Sequence, residues 1–279
     1  MQTVGRHGGI VTIHDLWLDR FPEYSQKFLG QTLSSYKTRG IARRARKVVT
    51  VSKFSARELI ELFGLSAEQI AVIPNGVSEE FFPRHDDEAF MALKRRIGLA
   101  SDRFLLFVGG ADPRKNHRLV LEAASMIRPH LEGRTLVLAG SAAHPFGSYE
   151  ATAKSYRLMD CVLCPGRLSQ GDLQLLYSHA EIFLFPSLYE GFGMPVLEAM
   201  ACGVPVITSR TTALGEVAGD AALLVDPDNA RELADRMIEL LESESLRASL
   251  KAKGFARITE YTWARSALQT HDLYATLLR

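Results

Sequence analysis

Ile182–Ser209, IFLFPSLYEGFGMPVLEAMACGVPVITS, reads as a strand, a glycine-rich turn, a helix and a second strand. The apolar run IFLF has strand length, VPVITS is rich in β-branched residues, and Pro195 sits where a first helical turn begins, a position at which its missing N–H costs nothing. Two such strands joined by a helix form a parallel pair, so both strands end at the same edge of a sheet.

Working outward, the same alternation recurs along the chain. Strands are expected near VTIHD (Val11–Asp15), VVTVS (Val48–Ser52), IAVIPN (Ile70–Asn75), FLLFVGG (Phe104–Gly110), TLVLAG (Thr135–Gly140), CVLCPG (Cys161–Gly166) and ALLVDP (Ala222–Pro227). Amphipathic segments fill most gaps, which gives an α/β protein with parallel sheets covered by helices. The stretch SARE, Ser55–Glu58, predicts a capping box for a helix that Gly64 ends, and Asp228 is expected to cap ARELADRMIELL.

The rhythm breaks at PNGVSEEFFPRHDDEAF (Pro74–Phe90), where turn residues and an acidic cluster predict a linker. The expected division is a first domain over 1–83, a second over 84–260, and a returning helix over 261–279. Three strands precede the break and six follow. A doubly wound domain opens with its own strand, glycine turn and helix, and nothing before Val11 supplies one, so the first domain reads as incomplete.

The 279 residues are 47% hydrophobic and 23% charged, the composition of an ordinary globular protein. A formal net charge of +1 gives no global attraction to nucleic acid, so any electropositive site is local. Cys161, Cys164 and Cys202 cannot form a disulfide framework, the first residues lack a signal-peptide pattern, and no window reaches the ~18 apolar residues of a membrane span. A cytoplasmic location is expected. The basic run YKTRGIARRARK, Tyr36–Lys47, reads as a helix with a solvated cationic face, or as a contact with anionic lipid at the inner face of a membrane.

Two local patterns carry chemistry. After IFLFPS, the turn with Gly191 and Gly193 runs into a helix whose first N–H groups, at Val196 and Leu197, suit an anion. Glu190 and Glu198 flank that turn, and carboxylates beside a phosphate site are tolerable when they accept hydrogen bonds from neutral sugar or ribose hydroxyls. After FLLFVGG, the turn GGADPRKN carries Arg114 and Lys115. At ~4 Å and an effective dielectric of ~20, one such cation is worth about 4 kcal/mol to a diphosphate before desolvation. Blander readings stand beside these: acids are favoured near any helix start, Arg114 and Lys115 can be a solvated turn, and Asn116 can be a helix cap. Cys161 and Cys164 read as structural thiols, Asp226–Asp228 as a turn with a cap, and no metal site is expected.

Together these motifs resemble the retaining nucleotide-sugar glycosyltransferases of family 4, with the GT-B fold of two Rossmann-like domains. The likeness lies in Glu190 and Glu198, with seven residues between them, within PSLYEGFGMPVLEAMACGVPVI, and in FLLFVGGADPRKN, LSQGDLQLLYSHAEIFLFPS and ALGEVAGDAALLVDPDNARELA. Upstream, VTIHDLW, VTVSKFSARELIELFG and IAVIPNGV resemble the later part of the family's acceptor-side domain. The resemblance implies that Glu198 binds the ribose, that Glu190 meets hydroxyls of the donor sugar, and that Arg114 and Lys115 hold the diphosphate beside Gly110. Phe192, Gly193, Met194, Pro195, Val196 and Leu197 would complete the sugar and phosphate pockets, and Gly166, Arg167 and Leu168 would border the base. His14 would approach the donor sugar, and the terminal helix would be the family's crossover segment.

The implied reaction moves a hexose, mannose or glucose, from a GDP- or UDP-sugar to a glycan or lipid-linked acceptor with retention, and it requires no cofactor. The family's first βα units are missing from the pattern, which leaves a second reading: a nucleotide-sugar-binding subunit that needs a complementing chain. Two further classes remain. A dinucleotide oxidoreductase would use Gly191-Phe192-Gly193 as part of a G-x-G-x-x-G, but Val196 replaces the third glycine. A glycosidase would use two carboxylates, but has no need of Arg114 and Lys115.

Overall fold

The computed structural model describes residues 9–22, 29–144 and 147–278. They fall into two compact units, each with its own sheet.

The first unit comprises the described residues of Met1–Gly76 together with Tyr189–Gly193 and Tyr261–Arg279. Its sheet is parallel, in the order β1 (Ile10–Thr12), β2 (Lys47–Thr50), β3 (Ile70–Val72), with Val11 opposite Val48 and Val49 opposite Ala71. Ile13, Leu16, Val48, Leu59 and Phe63 form its core. The helix Lys53–Phe63 starts three residues earlier than the SARE reading expects. Ser52 is its cap, accepting from the Ser55 N–H, so Ser55 lies inside the first turn. Gly64 ends the helix at φ 66°, as expected. The helix Trp263–Leu278 belongs to this unit, where the Ser266 hydroxyl donates to the Pro74 carbonyl.

The second unit comprises Val77–Leu188 and Met194–Glu260. Its strands are β4 (Phe104–Val108), β5 (Thr135–Ala139), a short antiparallel pair β6 (Ala143–His144) and β7 (Gly147–Ser148), β8 (Val162–Gly166), β9 (Ile182–Phe185), β10 (Val206–Ser209) and β11 (Leu223–Val225). The large sheet is parallel throughout, in the order β11-β10-β9-β4-β5-β8. Counting from β4, that is the doubly wound Rossmann order, with its switch point between β4 and β9. Both faces are covered, so Leu105, Leu106, Phe107, Phe183 and Leu184 are all fully buried and the strands read as continuous apolar runs. Pro165 is accommodated because β8 is an edge strand, and its register with β5 shifts there.

All nine expected strands are present; the β6–β7 pair is additional. The acidic end of the stretch read as a linker is helical instead, because Asp86 caps the helix Asp87–Ile97 by accepting from the Ala89 N–H. Asp228 is not a cap either. Asn229 accepts from the Glu232 N–H at the start of Ala230–Glu242, while the Asp228 N–H turns back to Asp226 Oδ1. No described helix is long and apolar enough to cross a membrane.

Candidate functional site

In the second unit the apolar strand β4 ends in glycines, and the chain turns sharply over the neighbouring strand. Gly140, at the end of β5, has φ 134°, and a Cβ there would lie 1.3 Å from the Gly109 carbonyl oxygen, so only glycine allows the two strand ends to approach so closely. Ala111 N–H donates to Ser141 O, and Asp112 caps a single helical turn, Pro113–Lys115, by accepting from Arg114 N–H at 2.9 Å.

Asn116 does take the cap position of the helix His117–Met126, the plainer of its two readings, and its carbonyl accepts from Leu119 N–H. It sits there in the left-handed region at φ 60°, and its side chain makes no capping hydrogen bond but donates both protons of its buried amide, to Pro186 O at 3.0 Å and Pro227 O at 2.7 Å. Leu188 N–H also donates to Arg114 O at 2.9 Å. The turn bearing Arg114 and Lys115 is thereby fastened to the end of β9 and to the loop after β11. Lys115 Nζ stands 5.0 Å from the centre of the Phe185 ring, and Arg114 Nε lies 3.6 Å from Asp112 Oδ2. Both cations sit at the switch point, where an open parallel sheet binds its ligands.

The helix Met194–Ala201 follows Gly193 at φ 118°, with Pro195 in its first turn. Among its first residues Met194, Val196 and Leu197 carry the N–H groups that have no partner within the helix, and Pro195 has none to leave unpaired. Glu198 lies in the second turn of the helix, and no acid occupies the first. The buried Tyr177 hydroxyl donates to Glu198 Oε2 at 3.3 Å. Burial raises the Glu198 carboxyl above the ordinary glutamate range, partly offset by that hydrogen bond, and burial likewise pushes the Tyr177 hydroxyl up. Gly166, at φ 79°, closes β8, with Arg167 exposed and Leu168 half-buried beyond it. They share the carboxyl edge of the sheet with Gly110, two strands out from β4.

The first unit holds the other expected residues. His14 is exposed just after β1, and Glu190 is buried. They are brought together because Tyr189–Gly193 packs on the segment after β1. A Cβ on Gly191 would lie 2.4 Å from His14 O and 2.6 Å from Asp15 Cβ. Ser52 Oγ donates to Gly191 O at 2.7 Å, and Ser55 Oγ lies 3.1 Å from His14 O and 3.2 Å from Gly191 O. The Tyr189 hydroxyl accepts from Leu16 N–H at 3.1 Å and points at Glu58 Oε2 at 3.4 Å, among the rings of Trp17, Phe21 and Phe54. Glu58 is buried, and desolvation raises its carboxyl despite Arg20 at 3.9 Å. Phe192 meets Tyr261 edge to face at 5.7 Å.

Ser52, Ser55, Glu58, Tyr177 and Tyr189 escaped sequence reading as parts of a site. Tyr189 had one usable signal, its position beside Glu190. Cys161 and Cys164 are half-buried against the core, their thiols pushed up mainly by burial, and among the described residues no cluster of His, Cys, Asp or Glu could hold a metal.

The family model for glycosyl transferases group 1 matches residues 92–257, and that for glycosyltransferase family 4 matches residues 6–81. The O-antigen chain mannosyltransferase B of Escherichia coli is 32% identical over 96% of this chain and 70% of its own length. The serotype-specific mannosyltransferase WbdA of Escherichia coli is 32% identical over 85% of this chain, which spans only 29% of that longer protein. The structure of sucrose-phosphate synthase from Thermosynechococcus elongatus superposes with a TM-score of 0.79 at 27% identity, covering 96% of this chain and 67% of that one. Two parallel-sheet units, a Rossmann-ordered sheet with cations at its switch point, and these matches agree: the chain belongs to the glycosyl transferases group 1 family and has the GT-B fold.

Proposed function

We propose that the chain transfers a hexose, mannose or glucose, from a GDP- or UDP-sugar to a glycan or lipid-linked acceptor with retention at the anomeric carbon. The observation that carries this reading is the fastening of the Arg114–Lys115 turn to the end of β9 by Asn116 and Leu188, which fixes two cations at the switch point of the sheet. The mannosyltransferases among the relatives support the choice of hexose.

In this scheme Arg114, Lys115 and the N–H groups opening Met194–Ala201 receive the diphosphate. Glu198 accepts from the ribose hydroxyls, Glu190 from those of the sugar, and His14 approaches the same sugar. The bond from the anomeric carbon to the diphosphate oxygen breaks and the bond to the acceptor oxygen forms on the same face. The departing phosphate oxygen takes the acceptor proton, so no protein base is required. Charge gathers on the diphosphate as it leaves, where fixed cations stabilise it more than they stabilise the ground state.

A calorimetric panel of GDP, UDP, ADP and their mannose and glucose conjugates tests this reading. It predicts binding of one nucleotide and its sugar; failure of every member to bind would overturn it.

A further inference from the structure

The segment carrying Glu190 is fixed by two serine hydroxyls that belong to no expected motif of the site. Ser52 and Ser55 are fully buried at the start of the helix Lys53–Phe63. Ser52 Oγ does two things: it accepts from Ser55 N–H at 3.0 Å, which caps the helix, and it donates to Gly191 O at 2.7 Å. Ser55 Oγ lies between two carbonyls, His14 O at 3.1 Å and Gly191 O at 3.2 Å, and 3.1 Å from Ser52 Oγ. A hydroxyl has one proton, so Ser55 donates to one of those carbonyls at a time while standing against both. The carbonyls belong to His14 itself and to the residue after Glu190. The absence of a Cβ on Gly191 lets the two backbones touch. All of these residues lie in one compact unit.

We propose that Ser52 and Ser55 are positioning residues that set His14 and Glu190 against the sugar of the bound donor, with Tyr189 as a third tether through Leu16 N–H. The inference rests on the reading of Glu190 and His14 as donor-sugar contacts. Its physical basis is that the pair acts on main-chain atoms. Loss of the Ser55 hydroxyl leaves the helix cap and the Ser52–Gly191 bond in place, because Ser52 provides both, yet takes the hydroxyl donor away from His14 O and the second hydroxyl away from Gly191 O. The effect falls on the sugar and spares the diphosphate, whose ligands Arg114 and Lys115 are held by different contacts.

The test is calorimetric, on the full chain, with GDP and GDP-mannose and with UDP and UDP-glucose, comparing the parent, Ser55→Ala and Glu190→Ala, each with its melting temperature. The quantity read is the ratio of the Kd of the nucleotide sugar to the Kd of the matching nucleoside diphosphate. For Ser55→Ala this ratio rises about tenfold while the diphosphate Kd stays within about twofold of the parent. A purely structural role would instead weaken both ligands together, and that result overturns the proposal. An unchanged ratio in Ser55→Ala with a raised ratio in Glu190→Ala overturns the positioning role alone. An unchanged ratio in Glu190→Ala overturns the sugar-contact reading and the proposal with it. If Ser55→Ala does not fold, Tyr189→Phe, which keeps the ring and removes the tether to Leu16, takes its place under the same outcomes.

Discussion

Two turns of this molecule carry the candidate chemistry, and they are built by opposite means. The turn Gly109–Asn116 is shaped by its neighbours in the same Rossmann sheet: glycine at the end of β5, a local aspartate cap, and one asparagine amide donating to the ends of two other strands. The segment Tyr189–Gly193 has no such frame. It is held by partners more than a hundred positions away: the Ser52 and Ser55 hydroxyls at Gly191 O, and the Leu16 N–H, which donates to the segment's own Tyr189 hydroxyl. The first arrangement follows from strand order and presents fixed charge. The second depends on a few buried tertiary hydrogen bonds, each of which can be removed singly, so it is the more sensitive to small substitutions.

The comparison breaks most visibly at Lys115. Lys115→Ala removes charge that stabilises the departing diphosphate without disturbing the Asn116 contacts, and turnover should fall by ~10² or more, measured as initial rate of transfer. Unchanged turnover would mean that the turn is scaffold only.

Next is Asn116. Asn116→Asp loses both amide protons, leaves Pro186 O and Pro227 O without a donor, and buries a charge, so chemical denaturation should show a loss of about 3 kcal/mol. Asn116→Gly keeps the left-handed backbone and should cost less, about 1–2 kcal/mol. On the other side, Gly191→Ala forces a Cβ against His14 O and should cost about 1–3 kcal/mol, together with a weaker grip on the donor sugar.

The smallest effect concerns Glu198. Burial raises its folded-state carboxyl above the unfolded value near 4.5, so just above that pH the native state holds more protons than the unfolded chain, and stability falls as pH rises through the window. Glu198→Gln should flatten that slope and raise the melting temperature near neutrality, by an amount equivalent to about 1 kcal/mol or less, while weakening nucleotide affinity. Glu58, raised in the same sense, keeps part of the slope in place. A variant that is both less stable and weaker in binding would reverse the sign argued here.

Much of the first arrangement was legible in the residues and little of the second. Buried parallel strands such as FLLFV and IFLF announce themselves as apolar runs, and Gly109, Arg114 and Lys115 follow one of them directly, so the strands and their turn chemistry could be read together, though not the order of the strands in the sheet. Caps were read less well. Ser52 caps where Ser55 was expected, and Asn229 where Asp228 was, because neighbouring polar residues offer the same oxygen and the backbone geometry alone selects between them. Asn116 does stand at a cap position, but its side chain bonds to carbonyls 70 and 111 residues away. Contacts at such separations leave no periodic trace. The Ser52–Gly191 bond and the Tyr177–Glu198 bond join positions whose pairing only the folded chain defines.

The most direct measurement compares affinity for a nucleoside diphosphate with affinity for the matching monophosphate, in the parent and in the double variant Arg114→Ala/Lys115→Ala. The parent should bind GDP or UDP at least about tenfold more tightly than GMP or UMP, and the double variant should lose that gap while keeping its monophosphate affinity. A parent that binds the two equally, or a gap that survives removal of both cations, would contradict a diphosphate held at the end of β4.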